Sequence, residues 1–199
     1  MESTRLHLLR HGQVEGFQEK RYNGQADVAL TDVGREQYYR LKQRLAECQP
    51  TAIYCSDLTR CTWGAELIGA DHDLVPVQNP QLRELDIGEW EGKTWQQLMT
   101  DHPEEWQARL NDLVNFQVRG GESLQQMAER VRSALQNILQ NHSGEEIILV
   151  GHGGINRVIL LDAIGAPLGR MFHLEQDYGC YNLIEYFPDG IAVVKQMNL

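Results

Sequence analysis

The 199-residue sequence has no apolar run near the roughly 18 residues that a membrane span needs. Its start, Met1-Glu2-Ser3-Thr4, lacks the basic and apolar regions of a secretory signal, so a cytoplasmic location is expected. Cysteine is sparse: Cys48, Cys55, Cys61 and Cys180 include no CxxC pair, which argues for free thiols over a zinc knuckle or a disulfide framework. Basic residues are outnumbered, 18 Lys and Arg against 28 Asp and Glu, giving a net charge of −10. A field of that sign disfavours nucleic acid and anionic membrane as partners. It leaves room for a small phosphorylated metabolite, because a local arginine cluster dominates within a Debye length of roughly 10 Å. Internal repeats and low-complexity linkers are also missing, as is any two-metal carboxylate spacing. The oligomeric state is left open, with a homodimer compatible with the sequence.

What is present is an alternation of apolar strands and amphipathic helices. Arg5–Leu9 reads as a buried strand running into Arg10-His11-Gly12. Residues Gln13–Ala29 read as an ordered loop. Thr31 can cap a helix running to about Cys48, with Pro50 beyond it. Thr51–Cys55 is a second strand, followed by Ser56-Asp57 and a helix through Ile68, and Leu74–Val77 reads as a short strand. Residues 81–121 hold three of the four tryptophans and read as a mostly helical lid insertion. Ser123 and Gln126 fit a capping box opening a long helix. Glu146–Val150 is the clearest buried strand and ends in Gly151-His152-Gly153-Gly154, with a helix from about Ile155. Asn182–Tyr186 and Ile191–Gln196 form a terminal strand pair. The pattern predicts an α/β fold, a three-layer α/β/α sandwich with a mostly parallel sheet, as one domain over 1–199 with a lid at about 81–121.

The chemistry lies where strands end, because ligands of open α/β sheets sit beyond the carboxyl ends of the strands. Three ends carry polar or cationic groups: Arg10-His11, Ser56-Asp57 with Arg60 one turn on, and His152-Gly153-Gly154. Two arginines and two imidazoles suit a phosphoryl group, whose charge is spread over three oxygens. Gly153 and Gly154 allow backbone N–H groups to approach an anion. Taken singly, each feature has a plain alternative: a structural histidine, a generic anion loop, a solvated arginine. Their joint placement at strand ends carries the reading.

The ordered motifs resemble the histidine phosphatase (phosphoglycerate mutase-like) superfamily over nearly the whole chain. They are Leu9-Arg10-His11-Gly12, Arg21-Tyr22-Asn23-Gly24, Asp27 with Leu30-Thr31 and Gly34, Ser56-Asp57-Leu58-Thr59-Arg60, Leu82-Arg83-Glu84-Leu85 with Gly88-Glu89-Trp90-Glu91-Gly92, Gly121-Glu122-Ser123 and Val150-Gly151-His152-Gly153-Gly154. The resemblance implies a phosphomonoester hydrolase with no metal or other cofactor. His11 would be the phosphorylated nucleophile, and Arg10, Arg60 and His152 would clamp the phosphoryl oxygens. Asn23, Gly24 and Gly153 would complete the substrate-binding shell. Glu84 would protonate the leaving oxygen and then activate water, helped by a partly dry lid that keeps it protonated. Phe17 stands where many members carry a phosphate-binding asparagine, which leaves Asn23, a backbone group or a shifted loop to complete the phosphate shell, and Gln13 stands where a glutamate is common. The Phe172–Asn182 segment and the short lid look like α-ribazole phosphatases, with Trp90 and Tyr178 as candidates for stacking on a planar base. The competing readings are a broad-specificity phosphatase, a phosphoglycerate mutase, and a phospholigand-binding module without activity.

Overall fold

The computed structural model describes residues 2–199. Six strands form one sheet in the order β3-β2-β4-β1-β5-β6. They are β1 (Thr4–Arg10), β2 (Ala52–Cys55), β3 (Val77–Gln78), β4 (Glu146–Gly151), β5 (Tyr181–Tyr186) and β6 (Ala192–Gln196). β3, β2, β4 and β1 run parallel, while β5 and β6 add as an antiparallel edge. β4 is an almost unbroken apolar run because helices cover both of its faces.

Side-chain alternation splits the sheet into two cores. Leu6, Leu8, Ile147 and Leu149 face α5 (Leu124–Asn141) and α6 (Gly153–Ala163). Leu9, Ile53, Ile148 and Val150 face α1 (Asp32–Leu45) and α2 (Thr59–Gly69). The result is the three-layer α/β/α arrangement. No helix among the described residues is long and apolar enough to cross a membrane.

Helix starts follow local chemistry. Thr31 accepts the Gly34 N–H to begin α1, and Ser123 and Gln126 close a reciprocal capping box on α5. Several boundaries differ from the sequence reading. α1 stops at Leu45, where tight turns carry the chain toward Pro50. The third strand is only Val77–Gln78, starting three residues later than the expected Leu74–Val77. α6 begins at Gly153, two residues before Ile155, so His152 is its N-cap.

The 81–121 segment is only partly helical. It contains α3 (Trp95–Asp101), α4 (Pro103–Asn111) and short 3-10 turns joined by ordered loop. A small core of its own, Ile87, Trp90, Leu98 and Val118 with Trp106 and Phe116 against it, holds the segment together. It is stitched to the 13–29 loop by backbone bonds: Tyr22 N–H to Lys93 C=O, Gly92 N–H to Tyr22 C=O and Trp95 N–H to Lys20 C=O.

Candidate active site

His11 leaves the end of β1 between two anchors. Its backbone N–H donates to the Gly151 carbonyl, and its carbonyl accepts from Gly179. The following turn packs backbone on backbone against the start of α1: a Cβ on Gly12 would lie 2.2 Å from the Gly34 carbonyl oxygen. Glycine is required there for close approach. The His11 Nδ1 lies 2.8 Å from the Gly12 carbonyl oxygen. That oxygen can only accept, so Nδ1 carries the proton and Nε2 keeps its lone pair.

His152 sits edge-on to His11, with ring centroids 5.1 Å apart. Both rings are buried. Burial, then the Arg10 and Arg60 charges, hold His11 well below the usual histidine pKa. Burial, then Arg60, His11 and Arg10, do the same to His152. Both imidazoles are therefore neutral near pH 7.

The two arginines are held differently. Arg60, second residue of α2, donates to the Ala26 carbonyl at 2.6 Å, the Gly24 carbonyl at 2.8 Å and His152 Nδ1 at 3.3 Å. Three of its five N–H donors are thus engaged, and two remain for an anion. The Gly24 carbonyl therefore acts on Arg60. Arg10 lies flat on the Tyr178 ring, 3.8 Å from its centroid, and donates to the Gln176 carbonyl. Its buried Nε has no partner. Gly153 leaves space for this guanidinium, which a Cβ there would meet at 3.3 Å.

Glu84 follows the Arg83–Asp57 ion pair, which joins the lid to the end of β2 at 2.5 Å and holds the Asp57 carboxyl below its usual pKa. Arg130 and Gln25 donate to the Glu84 backbone carbonyl at 3.0 and 3.2 Å. The Glu84 carboxylate accepts from Leu85 N–H and Gly154 N–H, both at 2.9 Å. Gly154 therefore spends its N–H on Glu84, contrary to the expectation that it faces the anion. The lid leaves Glu84 half-buried.

These groups share one cleft of about 460 Å³, lined by Arg10, His11, Asn23, Gly24, Arg60, Glu84 and Gly153 among others. A larger groove of about 530 Å³ between α5 and the β5–β6 turn contains none of them. His152 lies behind the cleft wall, in contact through His11 and Arg60. Asn23 has a side chain with no protein hydrogen bond and can turn to the cleft. Gln13 instead accepts from the Thr31 hydroxyl at 3.0 Å.

The aromatic wall differs from the expected one. Trp90 is 1% exposed and belongs to the lid core, so it is not free to stack on a ligand. Phe17, Trp95 and Phe172 are exposed and line the cleft, and Tyr178 supports Arg10 and His11. Sequence reading also missed Arg109, 6% exposed on α4. It lines the cleft and donates only to the Tyr22 hydroxyl, at 3.3 Å, with no carboxylate partner. Its one sequence signal is the three-residue spacing from Trp106, which puts both on one face of a polar helix.

The profile of the histidine phosphatase superfamily, branch 1, matches residues 6–199. The adenosylcobalamin/alpha-ribazole phosphatase of Escherichia coli K12 is 31% identical over 182 residues, covering 91% of this chain and 89% of that protein. A metal-independent phosphoserine phosphatase of Arabidopsis thaliana is 35% identical over 164 residues, covering 80% of this chain and 68% of that protein. The crystal structure of the alpha-ribazole phosphatase from Shigella flexneri superimposes with a TM-score of 0.90 at 29% identity, covering 98% of this chain and 96% of that one. A match of that extent, joined to the site geometry, places the chain in the histidine phosphatase superfamily, among phosphoric monoester hydrolases.

Proposed function

We propose that the chain hydrolyses small phosphomonoesters without a metal ion, through a phosphohistidine at His11. The observation that carries this reading is the fixed tautomer of a neutral His11, whose free Nε2 shares a cleft with Arg10, Arg60 and Glu84. Nε2 attacks phosphorus, the ester oxygen departs, and Glu84 gives it a proton. Glu84 then takes a proton from water as that water attacks the phosphohistidine, releasing phosphate and restoring both residues. Arg10, with its unpartnered Nε, and the two spare donors of Arg60 offset the charge on the phosphoryl oxygens. His152 orients Arg60 and sets the ring packing of His11. Asn23 stands in for the residue missing at Phe17.

For the substrate, α-ribazole 5′-phosphate is the first choice. The relatives named for it match over the greater part of both chains, and Phe17, Trp95 and Phe172 offer faces for a planar base. A broader phosphatase is the second reading. It is favoured by Arg109, whose unpaired charge suits substrates with a second anionic or polar group. A mutase is the less supported alternative.

The test is steady-state phosphate release from α-ribazole 5′-phosphate, phosphoserine and 3-phosphoglycerate, without added metal. His11→Ala is expected to lower kcat at least about 10³-fold, with acid-labile label trapped on the unmodified His11. Substantial turnover by the variant sinks the mechanism. Isomerisation of 3-phosphoglycerate with a bisphosphate primer, faster than phosphate release, would favour the mutase.

A further inference from the structure

At the end of the sheet away from the cleft, three chemically different donors converge. His7 on β1, Cys48 in the turn after α1 and Glu146 at the start of β4 place one ligand atom each within 4.8 Å of the others. His7 is four residues before His11, roughly 13 Å along an extended strand, so the cluster takes no part in phosphoryl transfer.

We propose that His7, Cys48 and Glu146 bind one zinc-class divalent cation, with water as fourth ligand. Nitrogen, sulfur and carboxylate oxygen form a donor set that zinc accepts readily. Two of the three donors are already oriented by an outer layer. The His7 Nδ1 is held by the Tyr181 hydroxyl at 2.8 Å, which leaves Nε2 facing the cluster. One Glu146 oxygen accepts the Gln49 backbone N–H at 3.0 Å, which leaves the other toward His7, 2.6 Å from its Nε2. Cys48 is only half-buried, which gives the ion a path in.

Binding needs small movements. Tetrahedral zinc, with bonds of about 2.0–2.3 Å, sets its ligand atoms roughly 3.3–3.8 Å apart. The His7–Glu146 contact must open, and the Cys48 sulfur must turn inward. Arg5 must also release Glu146, which it touches at 3.2 Å. Its side chain is 44% exposed and has Glu185 within 3.8 Å as an alternative partner. A thiolate and a carboxylate then balance the charge of the cation. The ion would tie β1, β4 and the end of α1 together, three parts far apart in sequence, acting on stability and not on turnover.

The experiment is cobalt(II) titration of the chelator-treated full chain, followed by absorption, alongside thermal unfolding with zinc. The expected result is one equivalent of cobalt with a thiolate charge-transfer band and the strong visible bands of tetrahedral cobalt. Zinc should raise Tm by several degrees. Cys48→Ser should remove the charge-transfer band and weaken binding at least tenfold, while metal-free phosphatase activity stays unchanged. Glu146→Gln should weaken binding with the band retained. No thiolate band in the unaltered chain, or a band that persists in Cys48→Ser, overturns the proposal.

Discussion

In the proposed mechanism a single carbonyl decides which nitrogen of His11 attacks, since the Gly12 oxygen accepts the Nδ1–H and leaves the Nε2 lone pair free. Glu84 is the other residue whose function is separable. Glu84→Gln keeps one of the two backbone bonds at most, since Leu85 and Gly154 donate to different oxygens, and it cannot give up and recover a proton. Alkyl phosphates are expected to slow by about 10²–10⁴-fold in kcat, while nitrophenyl phosphate, with its good leaving group, slows far less. Equal losses on both, measured side by side, would remove Glu84 as the acid. The two buried imidazoles of the site, His11 and His152, make a second prediction. Their folded pKa values lie below the unfolded value of 6.5, so the unfolded chain binds more protons in the window below that value. Their stabilisation is full above about pH 6.5 and is lost as pH falls toward the folded pKa values, at about 1.4 kcal/mol per pH unit for each proton. Denaturant midpoints between pH 7 and 5 should show this slope, and His11→Gln should reduce it by about one proton. Arg10, His11, Arg60 and His152 were legible because strand ends converge by topology. Arg109 was not, because its position depends on how a lid without sheet register packs.

Among the elements, α2 joins the core to the site. Gly64 faces the Tyr38 ring so closely that a Cβ would lie 1.8 Å from it. The Tyr38 hydroxyl in turn donates to the Arg60 carbonyl at 2.7 Å. Gly64→Ala is expected to cost about 3 kcal/mol through overpacking, read from urea midpoints, and to raise KM because Arg60 shifts with the ring. A neutral result would mean α2 can slide freely over α1. The elements themselves were readable wherever period and caps agreed, as for α1, α5 and β4. The amide-rich stretches of the lid favour helix locally, and so the sequence predicts a mostly helical segment there. Its Gly88-Glu89-Trp90 turn is instead shaped by burying Trp90 among Trp106 and Phe116, contacts that no local window contains.

Across the whole molecule, a net charge of −10 surrounds a cleft lined by Arg10, Lys20, Arg21, Arg60, Arg109 and Arg157 against Glu84 and Glu175. The near cations should govern substrate capture over a Debye length of about 10 Å. kcat/KM is therefore expected to fall as ionic strength rises, and Arg109→Ala should flatten that dependence while leaving kcat nearly unchanged. A rise of kcat/KM with salt would show that the distant negative field prevails. The backbone bonds that stitch the 13–29 loop to the lid also bear on how such a protein changes over generations. Lys20, Tyr22, Gly92, Lys93 and Trp95 exchange main-chain bonds across the mouth of the cleft, so the two segments depend on each other where they meet. A chimera that swaps one of them with a relative would break the seam, whereas one that swaps both together would carry the donor's preference intact. The mouth of the cleft is therefore expected to transfer between relatives as a two-piece cassette.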